Sequence, residues 1–398
     1  MDIVILADFC GRFDETDNSR FLYLANMLKE NHEVEVITSD FNHGTKSYFE
    51  SSPEGYPYKI TMLHEGAYKK NVCLQRFKSH HLWGKNVIEY LKKRKKPDVV
   101  YCAIPPLKGP YEAAKYCEKN GIKFIIDVQD LWPEAFKLVF NLPVISKSVF
   151  APFNFMANRI YKTADEIVAV SQTYANRALR VNSKCKKGIS VFLGTNIDKF
   201  DHAAENAKIT IEKNQDEVWI AYCGTLGHSY NITIILEALK DLKSQGLTNF
   251  RFIVMGTGPL QNKFKELAIK WDLPVIFTGK LPYDEMCAQL KLCDIAVNPI
   301  SKGSSGSIIN KHGDYAMAGL PVVNTQEAKE YRDLIDEYNC GINCGVESLE
   351  EVTQAIKKLM TDETLRLDMG KNSRKLGEEK FNRKQSYTKI VEIIETIS

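Results

Sequence analysis

The sequence predicts an α/β protein with two doubly wound, Rossmann-like parallel-sheet domains that face a central cleft. Three observations predict this class. Short apolar runs alternate with helical patterns along the chain, as in parallel sheets covered by helices on both faces. A polar run at 201–217 interrupts the alternation. The length of 398 residues also exceeds what one hydrophobic core usually serves.

Residues 1–200 are expected to form the N-terminal domain. Ligands of such sheets bind at the carboxyl ends of the strands, so the loops that follow the strands are candidates for function. The strands are predicted at 3–6, 34–38, 59–63, 99–102, 124–128 and 167–170, and the helices at 20–30, 73–94, 110–120, 153–163 and 173–181.

The polar run at 201–217 is the expected linker, and 218–380 the C-terminal domain. A last helix, within 381–398, is expected to pack back on the N-terminal domain. The predicted strands of the second half are 218–223, 250–255, 275–278, 295–297 and 322–323, and the predicted helices are 231–244, 260–270, 283–292, 310–318, 348–360, 363–379 and 383–397.

Charge is distributed unevenly along the chain, whose net charge is +3. Residues 1–200 hold 29 basic and 22 acidic residues, a balance of +7, and the remainder holds 24 and 28, a balance of −4. The segment 59–96 alone has 11 basic and two acidic residues, or +9. Such a patch favours a lipid surface or a lipid-linked diphosphate. No nucleic-acid-binding module accompanies it, so nucleic acid is not expected.

The composition is that of a soluble protein, with 44% hydrophobic and 26% charged residues. No apolar run approaches the length of a membrane-spanning helix, and the N-terminus is too short and acidic for a signal peptide. The ten cysteines form no C-x-x-C pair and are expected to be reduced and mostly buried. A cytoplasmic location is predicted, with peripheral contact to the inner face of a membrane.

The stretch 300–324 combines three features of an anion site. The strand 295–297 leads into a small-residue loop, 303–307, and then into the helix 310–318, which Gly319 is expected to cap. A loop entering a helix N-terminus offers free N–H groups to phosphate. Lys311 and Asp314 lie in the first turns, and a carboxylate can accept two sugar hydroxyls. The alternative is an ordinary loop and helix with satisfied charges.

Two other glycine-containing turns follow strands of the second half. Gly224-Thr225-Leu-Gly227-His228 follows 218–223, and Met255-Gly256-Thr-Gly258 follows 250–255. The first offers N–H groups for a diphosphate, with an ordinary strand-to-helix turn as the alternative. The second is a further candidate turn. The alternative is that the backbone geometry alone requires glycine there.

In the first half, an apolar strand runs into Asp127-Val-Gln-Asp130-Leu-Trp132-Pro133-Glu134. Carboxylates at the end of a strand could orient an acceptor hydroxyl or accept its proton. Trp132 offers a face for a sugar ring. The alternative is that Asp130 caps a helix that starts at Pro133.

The run Lys311-x-x-Asp314-Tyr-Ala-Met-Ala-Gly319-Leu-Pro321 resembles the donor-binding signature of the retaining GT-B glycosyltransferases of the large group 1 family. The resemblance implies that Asp314 holds the ribose of a nucleotide-sugar. The family's signature has a second acid upstream, separated from the first by seven residues, and that position falls on Gly306. Its two cations fall on Thr225 and Tyr230, so this chain lacks those charges.

The resemblance covers nearly the whole chain and assigns roles to further residues. Lys311 is expected to neutralise the diphosphate together with the helix dipole, so no metal or cofactor is expected. Asp130 and Asp127 are the other catalytic candidates, and Trp132 is the acceptor-binding candidate. A UDP-sugar is favoured over a GDP-sugar. The donor-binding candidates are Gly11, Thr225, Gly227, Gly256, Lys280, Ser307, Asn310 and Asp314.

The Asp130-Leu-Trp132-Pro133 run is similar to a signature of transferases that add hexosamine or deoxysugar units to bacterial surface polysaccharides such as capsule or lipopolysaccharide. It implies retaining transfer to a saccharide or lipid-linked acceptor. Two rivals remain open: a nucleotide-sugar 2-epimerase, and a silent nucleotide-sugar-binding partner of another transferase. The predicted membrane-facing residues of the helix 73–94 are Leu74, Phe77, His81, Ile88 and Leu91, with a second set in 136–161.

Overall fold

Two parallel sheets, each buried under helices, build the protein. The computed structural model describes residues 1–11, 13, 19–71, 73–139, 146–209, 211–214, 216–304 and 308–397, without the side chains of 137–139 and 146–149. The chain divides into unit 1, Met1–Phe192 with Lys384–Ser398, and unit 2, Leu193–Arg383.

Unit 1 contains a parallel sheet whose strand order is β5-β2-β1-β6-β7-β8-β9. The order reverses between β1 and β6, which pair with each other. Its strands are β1 Asp2–Leu6, β2 Glu33–Ser39, β3 Phe41–Asn42 and β4 Ser47–Tyr48 (a separate hairpin), β5 Lys59–Leu63, β6 Val99–Ile104, β7 Lys123–Val128, β8 Glu166–Ala169 and β9 Ile189–Ser190. Its helices are α1 Arg20–Leu28, α2 Leu74–Lys93, α3 Lys108–Asn120, α4 Glu134–Val139, α5 Ser146–Thr163 and α6 Gln172–Leu179.

Unit 2 contains a parallel sheet in the order β12-β11-β10-β13-β14-β15. The order reverses between β10 and β13, and ligands of such sheets bind beside this reversal, at the carboxyl ends of the strands. Its strands are β10 Val218–Cys223, β11 Phe250–Met255, β12 Val275–Gly279, β13 Ile295–Asn298, β14 Val322–Asn324 and β15 Gly341–Asn343. Its helices are α7 Ile197–Asn206, α8 Ile232–Ser244, α9 Gln261–Lys270, α10 Tyr283–Lys291, α11 Asn310–Ala318, α12 Lys329–Tyr338, α13 Leu349–Thr361 and α14 Glu363–Leu376, with a π-helical turn at Gly377–Phe381.

The last helix, α15 Arg383–Thr396, contributes to the core of unit 1. Its buried residues Tyr387, Ile390 and Ile394 belong to the same apolar cluster as Ile5 of β1 and Leu22 of α1. The core of unit 1 is therefore assembled from both ends of the described chain.

The boundary between the units differs from the predicted domain boundary. It falls after Phe192, not at 200, and the predicted linker 201–217 begins inside the helix α7. Phe200 of α7 is buried, and Arg374 donates to both carboxylate oxygens of Asp201 at 2.7 Å. These contacts place α7 in unit 2, because a helix that buries an aromatic ring cannot act as a free linker.

The cysteines of the folded chain are thiols, and its helices are those of a globular protein. All ten cysteines are free, and seven of them are buried. Within the described residues, no helix combines the length and apolar character needed to cross a bilayer.

Candidate active site

Helix α11 follows the strand beside the sheet reversal of unit 2. Its bounds, Asn310–Ala318, agree with the predicted helix, and Gly319 ends it in the left-handed conformation, with φ of +73°. Lys311, His312 and Asp314 are all buried in its first turns. Buried charges near a helix start are costly unless a partner compensates them, so the surroundings of Lys311 and Asp314 indicate what the helix is built for.

Lys311 is 7% exposed, and no described residue accepts a hydrogen bond from its Nζ. The ammonium lies 3.9 Å from the ring centroid of Tyr230 and 4.6 Å from that of Tyr222. Ring faces attract a cation, but they replace only part of its lost hydration. Burial therefore lowers the pKa of Lys311 to about 7. An anion placed against this group would restore its charge.

Asp314 lies one turn further along α11. Its Oδ1 accepts hydrogen bonds from Thr195 Oγ1 at 3.1 Å and from Tyr283 OH at 3.2 Å. Burial raises the pKa of Asp314 to about 6, and the two hydroxyl donors oppose that rise. No described residue donates to Oδ2, and the residue keeps 8% of its surface exposed. One carboxylate oxygen is thus fixed by the protein and the other remains for a ligand hydroxyl.

The two glycine-containing turns of unit 2 pack directly on each other. Gly224 N–H donates to Met255 O at 2.9 Å, and Leu226 N–H donates to Thr257 O at 3.0 Å. Gly256 has φ of +147°, and a Cβ there would lie 1.9 Å from Gly224 O. Glycine is therefore required at 256 by the close approach of the backbones. Two of the N–H groups expected to bind a diphosphate are already used between the turns.

A cavity of about 280 Å³ opens beside these turns. It brings together three of the predicted donor-binding residues, Thr225, Gly256 and Lys280. Lys311 reaches the same place, because a methyl group added to Gly224 would lie 3.5 Å from Lys311 Nζ. Gly227 does not line this cavity but belongs to the same turn. The lining residues are Cys223, Gly224, Thr225, Met255, Gly256, Thr257, Lys280, Leu281 and Met286.

Asn310, Ser307 and Gly11 are the other predicted donor-binding positions. Asn310 is exposed and forms the first residue of α11. Ser307 and Gly306, the position of the missing acid, lie outside the described residues. Gly11 lies in unit 1, where it adopts φ of +92° just before α1. Its predicted role in donor binding stays a prediction.

Asp130 in unit 1 organises the loop after β7. Its Oδ1 accepts from Leu131 N–H at 2.8 Å and its Oδ2 accepts from Trp132 Nε1 at 3.2 Å. Burial raises the pKa of the carboxyl, and these hydrogen bonds oppose the rise. In the described part of the chain, no N–H group of α4 donates to Asp130, so the alternative that it caps this helix is wrong.

Trp132 is less available than the sequence predicted. It is 6% exposed, and its ring packs 4.6 Å from Phe136 and 5.7 Å from His80, measured between centroids. The guanidinium of Arg76 lies 4.8 Å from the ring centroid. These neighbours occupy the faces that the prediction reserved for a sugar ring, which argues against stacking of an acceptor on Trp132 in this conformation.

Asp127 forms a buried ion pair within unit 1. It is fully buried, and it accepts from Arg20 Nε at 2.6 Å and Nη2 at 3.2 Å, from Tyr101 OH at 2.7 Å and from Gln129 Nε2 at 2.7 Å. Both oxygens are therefore occupied. The prediction that Asp127 accepts a proton from an acceptor is not supported, because a buried and fully bonded ion pair leaves no access to a hydroxyl.

The predicted apolar face of the helix 73–94 is only partly correct. Helix α2 buries His80, Trp83, Val87 and Leu91, whereas Leu74 is 79% exposed. In the second set, Phe155 is 64% exposed and Phe150 is buried, while Phe140 lies outside the described residues. Fewer of the predicted membrane-facing side chains are therefore exposed than the sequence indicated.

Four residues that the sequence analysis did not assign complete the site of unit 2. Tyr222 and Tyr230 enclose Lys311, and Thr195 and Tyr283 hold Asp314. In the sequence, Tyr230 marks only the position where the family has a cation. A tyrosine flanking a glycine-containing turn is the one local signal that could have indicated a cation-binding cage.

Comparisons with known proteins agree with this architecture. The chain is 28% identical over 239 residues, 60% of each protein, to the uncharacterized glycosyltransferase MJ1069 of Methanocaldococcus jannaschii. The structure of Anabaena Alr3699/HepE in complex with UDP matches with a TM-score of 0.72 at 14% identity over all of both chains. WaaG, a glycosyltransferase involved in lipopolysaccharide biosynthesis, matches with a TM-score of 0.65 at 15% identity over 97% of this chain and 99% of that one.

The protein has the GT-B fold, which consists of two doubly wound units. In the second unit, the N-terminus of a helix suited to an anion lies beside the reversal of strand order. Residues 204–376 match the family model of the glycosyl transferases group 1. The resemblance seen in the sequence is thereby confirmed.

Proposed function

We propose that the protein transfers a sugar from a nucleoside diphosphate to a saccharide or lipid-linked acceptor with retention of the anomeric configuration. Unit 2 binds the donor and unit 1 serves the acceptor. The donor is a UDP-sugar, with a hexosamine or deoxysugar as the transferred unit, and the product belongs to a surface polysaccharide. No metal ion takes part in this transfer.

The observation that carries the proposal is the unpaired, buried Lys311. Its Nζ lies 3.9 Å from the ring centroid of Tyr230, the residue at the place of a family cation. Lys311 of α11 therefore places a positive charge beside Tyr230, where the turn after β10 has no cation of its own. A diphosphate leaving group needs such a charge as the glycosidic bond breaks.

The position of Asp314 supports a nucleotide as the carrier. With Oδ1 held by Thr195 and Tyr283, Oδ2 can accept from a ribose hydroxyl. Lys311 and Asp314 are three residues apart on α11, so a diphosphate and a ribose could contact one helix together. The complex of HepE with UDP supports the choice of uridine for a protein of this fold.

The acceptor side rests on Asp130 and on the charge of unit 1. The raised pKa of Asp130 suits a carboxyl that exchanges a proton with an acceptor hydroxyl. The basic segment 59–96 favours an acceptor that carries lipid-linked phosphate, although Lys59 and Arg94 are each paired with Glu35, at 2.8 and 2.9 Å. The likeness to WaaG supports the assignment to surface polysaccharides.

Donor binding by wild-type protein provides the direct test. Calorimetry with UDP, GDP and a panel of UDP- and GDP-sugars should give saturable binding, tighter for the uridine series. Lys311→Met keeps the length of the side chain and removes the charge, and it should weaken binding of UDP by at least about tenfold. Lys302→Met, which removes an exposed lysine paired with Glu347, is the matched control and should bind normally.

Turnover separates the proposal from its rivals. Sugar transfer to a lipid-linked acceptor supports it. Conversion of the donor sugar in the absence of any acceptor would identify a 2-epimerase. Tight donor binding with neither reaction, over a full panel of acceptors, would identify a silent binding partner.

A further inference from the structure

Three buried side chains converge at the carboxyl edge of the sheet of unit 1. Asp8 follows β1, Glu65 follows β5, and His80 lies on α2. One carboxylate oxygen of each acid and one imidazole nitrogen lie within 4.8 Å of one another. The exposed fractions of the three residues are 4%, 1% and 4%. None of them belongs to the donor-binding arrangement of unit 2.

Asp8 is the unusual member of this cluster. Neither of its carboxylate oxygens has a hydrogen-bond partner among the described residues. Burial and the neighbouring Glu65 raise the pKa of Asp8 well above its ordinary value. Two ionised carboxylates are both acceptors, so they can bond only if one of them is protonated or if a cation lies between them.

Glu65 is held by two serine hydroxyls. Its Oε2 accepts from Ser39 Oγ at 2.7 Å and its Oε1 accepts from Ser79 Oγ at 2.6 Å. His80 offers Nε2, which no described residue bonds and which lies 3.8 Å from Glu65 Oε1. An imidazole nitrogen without a hydrogen-bond partner can act as an electron-pair donor to a metal ion.

We propose that Asp8, Glu65 and His80 bind a divalent transition-metal ion, with Zn²⁺ as the ion to test. Two carboxylates and a neutral imidazole form a ligand set that zinc accepts. The ion would compensate the orphaned oxygens of Asp8 and leave a coordination position for water. The serine hydroxyls that bond Glu65 act as the outer shell that orients a metal ligand.

The size of the cluster fits this assignment. Zinc binds oxygen and nitrogen at about 2.0–2.2 Å, so the ligand atoms of one site lie about 3–4 Å apart. The present separations, up to 4.8 Å, require a contraction of roughly 1 Å when the ion binds.

Neighbouring positive groups leave the cluster available. The guanidinium of Arg76 lies over the rings of Phe9, Tyr68 and Trp132, at 5.7, 5.8 and 4.8 Å from their centroids, and Nη1 donates to Asn71 O. His43 is largely neutral, because burial lowers its pKa to about 4. Lys46 donates to Asn71 Oδ1 and lies over the ring of Tyr68, at 4.8 Å from the centroid. Arg76 interacts electrostatically with Asp8, but among the described residues no ion pair joins Arg76, His43 or Lys46 to Asp8 or Glu65.

Calorimetry of the full chain with ZnCl₂ after dialysis against a chelator tests the site without reference to transferase activity. Wild-type protein should bind one ion at this site and gain thermal stability. Asp8→Asn and His80→Gln should each weaken that binding by at least about tenfold. Asp8→Asn should also melt at the same temperature with and without zinc, while wild-type protein should not.

The control removes an exposed histidine that could bind zinc adventitiously. His64 pairs with Asp40 at 2.8 Å and its side chain is 58% exposed. His64→Gln should retain the site. Failure of wild-type protein to bind zinc, unchanged binding in Asp8→Asn and His80→Gln, or loss of binding in His64→Gln would each overturn the assignment. Should one cluster variant fail to fold, the other decides.

Discussion

Lys311 Nζ lies 3.9 Å from the centroid of the Tyr230 ring, in a site where no described residue accepts a hydrogen bond from it. The lysine therefore holds its proton weakly until an anion arrives. Its pKa of about 7 makes donor binding a proton-linked event. The first prediction follows from this linkage.

Binding of UDP at pH 7 should take up about half a proton per site, because a diphosphate raises the pKa of Lys311 from about 7. Above pH 7 the affinity should fall by up to about tenfold per pH unit, since the free site then loses its proton. Calorimetry in buffers of different ionisation enthalpy measures the uptake. Lys311→Met should abolish it, and unchanged uptake in that variant would assign the proton to another group.

Asp314→Ala should weaken nucleotide binding at least about tenfold, because a buried carboxylate loses its contact with the ribose. The fold should persist, since removal of a buried carboxyl whose pKa is raised to about 6 relieves a desolvation cost at pH 7. Calorimetry and thermal melting measure the two effects. Asp333→Ala, at an exposed pair with Lys329, is the control. Unchanged nucleotide affinity in Asp314→Ala would remove the assignment.

Asp130→Asn and Lys311→Ala should each lower turnover by about 10²–10³. Lys311→Ala should also weaken binding of the donor, because the ammonium of Lys311 contacts the diphosphate before the reaction. Asp130→Asn should leave donor affinity nearly intact, because it acts on the acceptor. Steady-state kinetics with donor affinity measured separately distinguishes the two. Near-normal turnover in Asp130→Asn would leave it a residue that only orients the loop.

Asp127→Asn should destabilise the protein by about 3–5 kcal/mol, because it leaves the buried guanidinium of Arg20 without its counter-charge. Chemical denaturation measures the free energy of unfolding. Glu118→Gln, which breaks an exposed ion pair with Arg159 in the same unit, should cost less than about 1 kcal/mol. Equal stability of the two variants would contradict the structural role of Asp127.

Vesicle binding should require anionic lipid and fall with salt, because the segment 59–96 has 11 basic and two acidic residues and so a net charge of +9. Co-sedimentation with neutral and anionic vesicles at two salt concentrations measures this. Lys78 and Lys85 are exposed, so replacing both by Glu should weaken the anionic binding. Equal partitioning to both vesicle types would exclude the electrostatic mechanism.

Local signals explain which elements the sequence predicted well. Helix α11 has its predicted bounds because the strand before it and Gly319 after it mark both ends. Helix α7 was missed, since its polar surface is typical of a linker and its helical state depends on burial of Phe200 and on the contact of Asp201 with Arg374. Packing of this kind leaves no trace in a local pattern.

The same distinction applies to the candidate site. Lys311 and Asp314 could be predicted as candidates because they lie in a recognisable run. The role of Asp127 was misjudged because its partner, Arg20, is 107 residues away. The cage around Lys311 also escaped, since Tyr222 and Tyr230 meet it only in the folded protein.

The placement of α15 reverses the usual order in which a ribosome completes domains. Residues 193–383 form one uninterrupted unit, whereas unit 1 waits for Tyr387, Ile390 and Ile394 to fill its core. Those residues are synthesised after all of unit 2. The nascent N-terminal half must therefore remain unfinished, with apolar surface uncovered, while the half behind it can already close. Until the last helix emerges, this uncovered apolar surface of unit 1 is open to aggregation.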